Sequence, residues 1–445
     1  MTRPSTVRNR RSTNKSSSTT KVSNDRSNTE PGQLSQESSL FSSYVQSPLF
    51  YILFVLILAV LIGYIHFQYV YILFENDKHF SHLSTLEREL SFRTEMGLYY
   101  SYFKQLIESK TFLNGFQSIV HDNRTEAPSI INVLERFNLY PEVILSLIYR
   151  YLDSRGSLHQ TCYRTERGQT MPPVLSCEGH KEPTYFYVTC VFILNGLLLS
   201  TLFVFATYLS QSIYGGLLTT AAYFYNHGEA TRVMWTPPLR ESFSFPFHVI
   251  QLFALTYVLQ KPLTFRQLKV ESSNNNLKND ASILSQQKIE KIQLILLLSI
   301  TSILYLLPWQ FAQFTMATQL LSVGLLYILN LISLEKLLFL NCIQTLSLLL
   351  TTLFMFGNRM LLTSLFSQVI ITFYLVYAID HLTSSYLSIT NRFKLIFKHT
   401  LIVVISFLFT KLVIMKFLSV DDDQHIWDIF RSKFDKNFRT FHTQL

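Results

Sequence analysis

The sequence predicts an all-α, multi-pass membrane protein, and three observations carry that prediction. Hydrophobic residues make up 48% of the 445-residue chain and charged residues only 15%, where a soluble domain carries about 25% charged residues. The apolar residues gather in runs of roughly 20, the length needed to cross about 30 Å of hydrocarbon. Lysine and arginine collect beside alternate ends of those runs, as topology signals do. The mean hydropathy of +0.22 agrees.

Residues 1–48 differ from the rest. Ser, Thr, Asn and Arg dominate, and VRNRRSTNKSSSTTK holds almost nothing that could be buried, so a disordered basic cytosolic tail is expected. The first apolar run, 49–73, lies too far from the start to be a cleaved signal and is predicted to be a retained anchor. Further spans are predicted at 186–209, 211–226, 246–260, 292–308, 316–333, 337–356, 360–379 and 399–418, with the third and fourth of the nine the shortest.

Orientation follows from the basic residues. Arg8, Arg10, Arg11 and Lys15 place the N-terminus in the cytosol. Alternation then puts Lys261, Arg266, Lys269, Lys278, Lys288 and Lys291 in the cytosol, with Lys336, Arg392, Lys394 and Lys398. The net charge of +9 is thereby accounted for without a nucleic-acid partner. A lumenal loop at 74–185, a bundle spanning 186–418 and a lumenal C-terminal segment at 419–445 complete the domain plan. Asn123-Arg124-Thr125 is a sequon in the lumenal loop, and Cys162 and Cys177 lie in the same loop. A glycan and a disulfide both suit an oxidising lumen; two free thiols are the alternative.

The loop opens with an amphipathic helix, in which Phe92, Met96, Tyr99, Phe103 and Leu106 recur at spacings of four and three. Its stripe should lie on the membrane surface or against the bundle. Glu95 sits at the edge of that stripe, either as a surface carboxylate paired with Arg88 or Arg93 or as a functional group. A second cluster, NHGEATRVMWTPPLRESFSFPF, packs His227, Glu229, Arg232, Arg240 and Glu241 between two spans. Charges at such places are paired or functional. Arg232 and Arg240 offer guanidinium forks to the phosphate of a lipid headgroup, with Glu229 and Glu241 orienting them; a structural salt-bridge cluster is the alternative. LPWQFAQF, with Gln310, has the composition of an interfacial belt. Asp421, Asp422 and Asp423 with His425 are too closely spaced for a hard-metal site, so no metal is expected. Nucleotide-binding and common hydrolase motifs are absent from the sequence, as are the repeats of a transporter.

The strings FRTEMGLYYSYFK, NHGEATRVMWTPPLRESFSFPF, LPWQFAQF and DDDQHIWDIFRSKF resemble, in order, signature segments of the DPY-19 family of protein C-mannosyltransferases. The resemblance implies a GT-C-type transmembrane helix bundle in the endoplasmic reticulum membrane. It also implies transfer of mannose from dolichyl-phosphate-mannose to indole C2 of tryptophan in WxxW segments, as in thrombospondin type 1 repeats. No cofactor beyond this lipid-linked donor is implied. Glu95 matches the family's catalytic glutamate; Arg232, with Arg240 and His227 near it, would meet the donor phosphate, and Glu229, Glu241 and Gln310 would support the site. Family members continue beyond this chain's last residues, so a C-terminal truncation is expected and activity of the chain alone stays open. A DPY-19-like membrane scaffold and a different polyprenyl-phosphate-sugar transferase are the alternatives.

Overall fold

The computed structural model describes residues 48–166, 168, 171–261, 277–384, 392–418 and 431. The N-terminal tail through 47 and the DDDQH segment lie outside the described residues, as does nearly all of 419–445. The nine predicted runs all fall on helices, but length separates them. Seven are long and apolar enough to cross a membrane: Leu49–Lys78, Pro183–Ser210, Arg240–Gln260, Ile289–Leu306, Leu334–Phe354, Leu365–Leu382 and Phe393–Thr410. They belong to helices α1 (Pro48–Lys78), α7 (Pro183–Ser210), α10 (Arg240–Gln260), α11 (Leu277–Leu306), α13 (Leu334–Phe354), α15 (Leu365–Ser384) and α16 (Arg392–Leu418). The run at 316–333 becomes α12 (Ala312–Ile328), of 17 residues, and the run at 360–379 opens on a short helix, α14 (Arg359–Thr363), before α15. The run at 211–226 becomes α8 (Ile213–Tyr225), whose 13 residues rise only about 20 Å at 1.5 Å each. A short helix, α9 (His227–Ala230), then leads through 231–239 into α10.

This short return shapes the site. Tyr208 donates to Gln260 at 2.6 Å, which sets the lower ends of α7 and α10 at one level. From there α10 rises about 31 Å over 21 residues, against about 20 Å for the 13 residues of α8. The polar segment 226–239 makes up the difference. Irregular polar backbone at such a depth is tolerated where it lines a cavity, and this one does. Close helix contact fixes the neighbouring pair: a Cβ on Gly63 of α1 would come within 2.9 Å of Gly196 O in α7, and one on Gly196 within 2.6 Å of Gly63 O. Small residues let backbones approach in this way when lipid provides no hydrophobic drive between helices.

The loop between α1 and α7 folds into α2 (Thr85–Ser91), α3 (Glu95–Glu108), α4 (Phe112–Val120), α5 (Val133–Phe137), α6 (Tyr140–Ser154) and a hairpin of β1 (Thr161–Thr165) and β2 (Val174–Glu178). Local chemistry sets the ends. Ser84 and Glu87 form a reciprocal capping box on α2, Thr111 caps α4, and Pro141 sits in the first turn of α6. Cys162 and Cys177 face each other across the antiparallel strands and form a disulfide. Arg88, fully buried, ties the hairpin down by donating to Phe80 O at 2.8 Å and Ser176 Oγ at 2.6 Å, and to Cys177 O. The predicted stripe of α3 is wholly buried and packs on protein. Phe103 stacks on Tyr187 of α7 with ring centroids 5.0 Å apart. Truncating such a buried aromatic costs about 3–5 kcal/mol.

At the opposite ends of the helices the basic residues are held in place. Lys336 donates to Leu259 O at 2.6 Å and Lys261 O at 2.8 Å, and Lys398 pairs with Asp380 at 2.6 Å. With these lysines inside, Asn123, exposed in the loop on the other side, is expected to be glycosylated. A shift in gel mobility removed by an endoglycosidase and by Asn123→Gln would show it; an N-terminal tag protected from the cytosol would reverse the orientation.

Candidate active site

The site grows from the first turn of α3. Thr94, just before it, has φ of 56°, a conformation costly for a β-branched residue and one found where surroundings hold the backbone for function. It swings the chain so that Glu95 begins the helix, exposed to solvent. One turn later the Tyr99 hydroxyl donates to the Glu95 carboxylate at 3.3 Å. Burial pushes the Tyr99 phenol up to about 12, with Arg240 opposing the shift and Glu95 adding to it. The phenol therefore keeps its proton and remains a donor.

The Tyr99 ring lies 3.6 Å from the Arg240 guanidinium, a cation–π contact in a desolvated place. Arg240 is the first residue of α10 and is buried. Its Nη1 donates to Glu142 Oε2 at 2.8 Å and to Asn138 O at 3.1 Å, while Nη2 pairs with Glu142 Oε1. Tyr187 donates to the same carboxylate at 2.5 Å. Glu142 is wholly buried, so a bidentate ion pair with a phenol on its flank joins the loop helix α6 to the membrane helices α7 and α10.

The neighbour of Arg240 completes the picture. Glu241 pairs with Arg232, and both line a cavity of about 480 Å³ with Glu229, Thr231, Asn195 and Tyr223. Leu198, Leu202 and Val249 supply apolar wall to the same cavity. Arg232 is largely exposed, at 65% of its side chain, and so can meet an anion without breaking a buried contact. A glutamate, a phenol, two arginines and a second glutamate thus run in sequence from the solvent face of the loop to a polar and apolar cavity among the helices.

Several sequence expectations change here. Arg240, expected at a donor phosphate, has its terminal nitrogens committed to Glu142 and Asn138; it is a structural link, because withdrawing it would strand a buried carboxylate. His227 is 3% exposed, is not among the residues lining that cavity, and packs its ring against His66 at 5.2 Å. Gln310 lines a different cavity, of about 890 Å³, between Asn138, Trp309 and Asn358. Arg88, offered as a partner for Glu95, is spent on the hairpin. Arg232, Glu229 and Glu241 line one cavity, with Glu241 paired to Arg232. Sequence reasoning missed Asn138, Glu142 and Tyr187, and placed Tyr99 only in the apolar stripe. Glu142 left a signal: in YPEVILSL it falls on the face of α6 that also carries buried Val143, Leu145 and Ser146. Among the described residues no group of three or more His, Cys, Asp or Glu could hold a metal.

These features define a multi-pass membrane protein whose carboxylate-bearing loop is tied to the helix that carries one wall of a cavity of about 480 Å³. The chain belongs to the Dpy19 family: the family model described as "Dpy19: Q-cell neuroblast polarisation" matches residues 60–445. It is 41% identical over 392 residues to human "Protein C-mannosyl-transferase DPY19L1", covering 87% of this chain and 54% of that protein. It is 40% identical over 424 residues to "C-mannosyltransferase dpy-19" of Caenorhabditis elegans, covering 92% and 57%. To human "Probable C-mannosyltransferase DPY19L2" it is 43% identical over 318 residues, covering 70% and 38%. The chain spans about half the length of the first two relatives.

Proposed function

We propose that this chain carries the donor site and catalytic glutamate of a protein C-mannosyltransferase of the endoplasmic reticulum membrane. Its donor is dolichyl-phosphate-mannose, and its acceptor is tryptophan in WxxW segments such as those of thrombospondin type 1 repeats. The names of the relatives support the reaction class. The observation that carries the site is the linkage of Glu95 through Tyr99 to Arg240, whose next residue, Glu241, holds Arg232 at the cavity. Such a linkage keeps a carboxylate and a phosphate ligand in fixed relation, as transfer between two substrates requires.

In the reaction the indole C2 carbon attacks the anomeric carbon of mannose. The bond from that carbon to the phosphate oxygen breaks, and its electron pair leaves with dolichyl phosphate. Arg232 stabilises the charge gathering on the phosphate. The new carbon–carbon bond leaves positive charge on the indole, and Glu95 takes the C2 proton to restore aromaticity. The Tyr99 O–H aims the carboxylate.

Transfer itself is the test. The intact protein, incubated with dolichyl-phosphate-mannose and a WxxW peptide, should add one hexose to tryptophan; transfer to Ser or Thr instead would favour a different polyprenyl-phosphate-sugar transferase. Arg232→Ala should weaken donor binding by about tenfold or more, the loss of one charge-assisted contact, with insertion into the membrane unchanged. Unaltered donor affinity would return Arg232 to a purely structural pairing with Glu241.

A further inference from the structure

Asn195 stands in the middle of α7 and is 2% exposed. Its Oδ1 accepts from the Tyr223 hydroxyl at 3.2 Å, while its Nδ2 is buried with no acceptor among the described residues. Both residues line the cavity that holds Arg232. An unpaired amide donor in a membrane helix is costly, and polar side chains at such depth mark a ligand path. Its own partner, Tyr223, is already used. An acceptor carried by whatever fills the cavity would satisfy it.

The cavity sorts its lining by chemistry. Leu198, Leu202 and Val249 offer only contact to hydrocarbon. Arg232 offers charge, which an anion takes. With the Tyr223 hydroxyl spent on its Oδ1, Asn195 offers a neutral amide N–H, which matches a neutral hydroxyl better than a phosphate. We propose that Asn195 Nδ2 donates to a sugar hydroxyl of the polyprenyl-linked donor, with Tyr223 as the positioning residue that keeps the amide turned into the cavity. Asn195 then distinguishes the glycosylated lipid from the bare lipid phosphate, so that the spent product is held less firmly than the donor. This assignment rests on the cavity being the donor site.

Binding of dolichyl-phosphate-mannose and of dolichyl phosphate to the intact protein in detergent micelles tests it. Replacing both partners, Asn195→Leu with Tyr223→Phe, removes the hydrogen bond and its orphan together, so the unliganded protein should keep its thermal midpoint. The double variant should lose on the order of tenfold in affinity for dolichyl-phosphate-mannose and nothing for dolichyl phosphate. Tyr223→Phe alone should lose part of the same selectivity. Equal losses for both lipids would make Asn195 a phosphate contact, and no loss for either would remove it from the site; both results overturn the proposal while the donor site stands. A wild-type protein that binds neither lipid would overturn the donor site and this assignment together.

Discussion

Replacing Glu142 by alanine is expected to destabilise the protein by about 3–5 kcal/mol, because it leaves the Arg240 guanidinium buried without its partner. Glu142 is wholly buried and accepts from Arg240 through both oxygens and from Tyr187, so its loss leaves Arg240 only the neutral contacts to Asn138 O and the Tyr99 ring. Arg240→Met alone should cost a similar amount by stranding the carboxylate. The pair Glu142→Leu with Arg240→Met should recover most of the loss, since two apolar side chains of similar volume remove both charges at once. Denaturation of the purified variants in detergent measures this as a coupling between the two sites. Donor binding should survive in the double variant. If Arg240 instead served as a phosphate ligand, Arg240→Met would abolish donor binding at little cost in stability.

The sequence carried the membrane helices well, because each span must supply its own run of apolar residues and satisfy its backbone internally. The α3 stripe was equally legible in its four-and-three spacing. The level at which α8 ends was not, since 13 helical residues and a span-length run look alike until neighbouring helices show where the ends lie. Pairings over long separations were illegible for a related reason. Arg240 and Glu142 are 98 positions apart, and nothing local to either announces the other. Arg240 and Arg232 share one motif and looked like equal candidates for a phosphate; burial and partners divide them into a structural link and an available ligand. Asn195 drew no notice because a single amide in an apolar run has no pattern. Glu95 stood out for a local reason, a carboxylate at the edge of an aromatic stripe, and the structure adds the Tyr99 hydroxyl and excludes Arg88 as its partner.

Glu95→Gln is expected to abolish transfer while leaving folding and donor binding intact. Glu95 is exposed, and its hydrogen-bond partner among the described residues is the Tyr99 hydroxyl at 3.3 Å, a bond the amide can still accept. A neutral amide keeps the size and shape of the carboxylate but can neither take the C2 proton nor balance charge on the indole. A carboxylate with only a surface role would change stability by about 1 kcal/mol or less and leave turnover nearly intact. The deciding measurement is mass spectrometry of a WxxW peptide after incubation of the Glu95→Gln protein with dolichyl-phosphate-mannose. No mannosylated tryptophan, with donor affinity and thermal midpoint at wild-type values, is the result expected of a catalytic glutamate; transfer at a near-wild-type rate would contradict it.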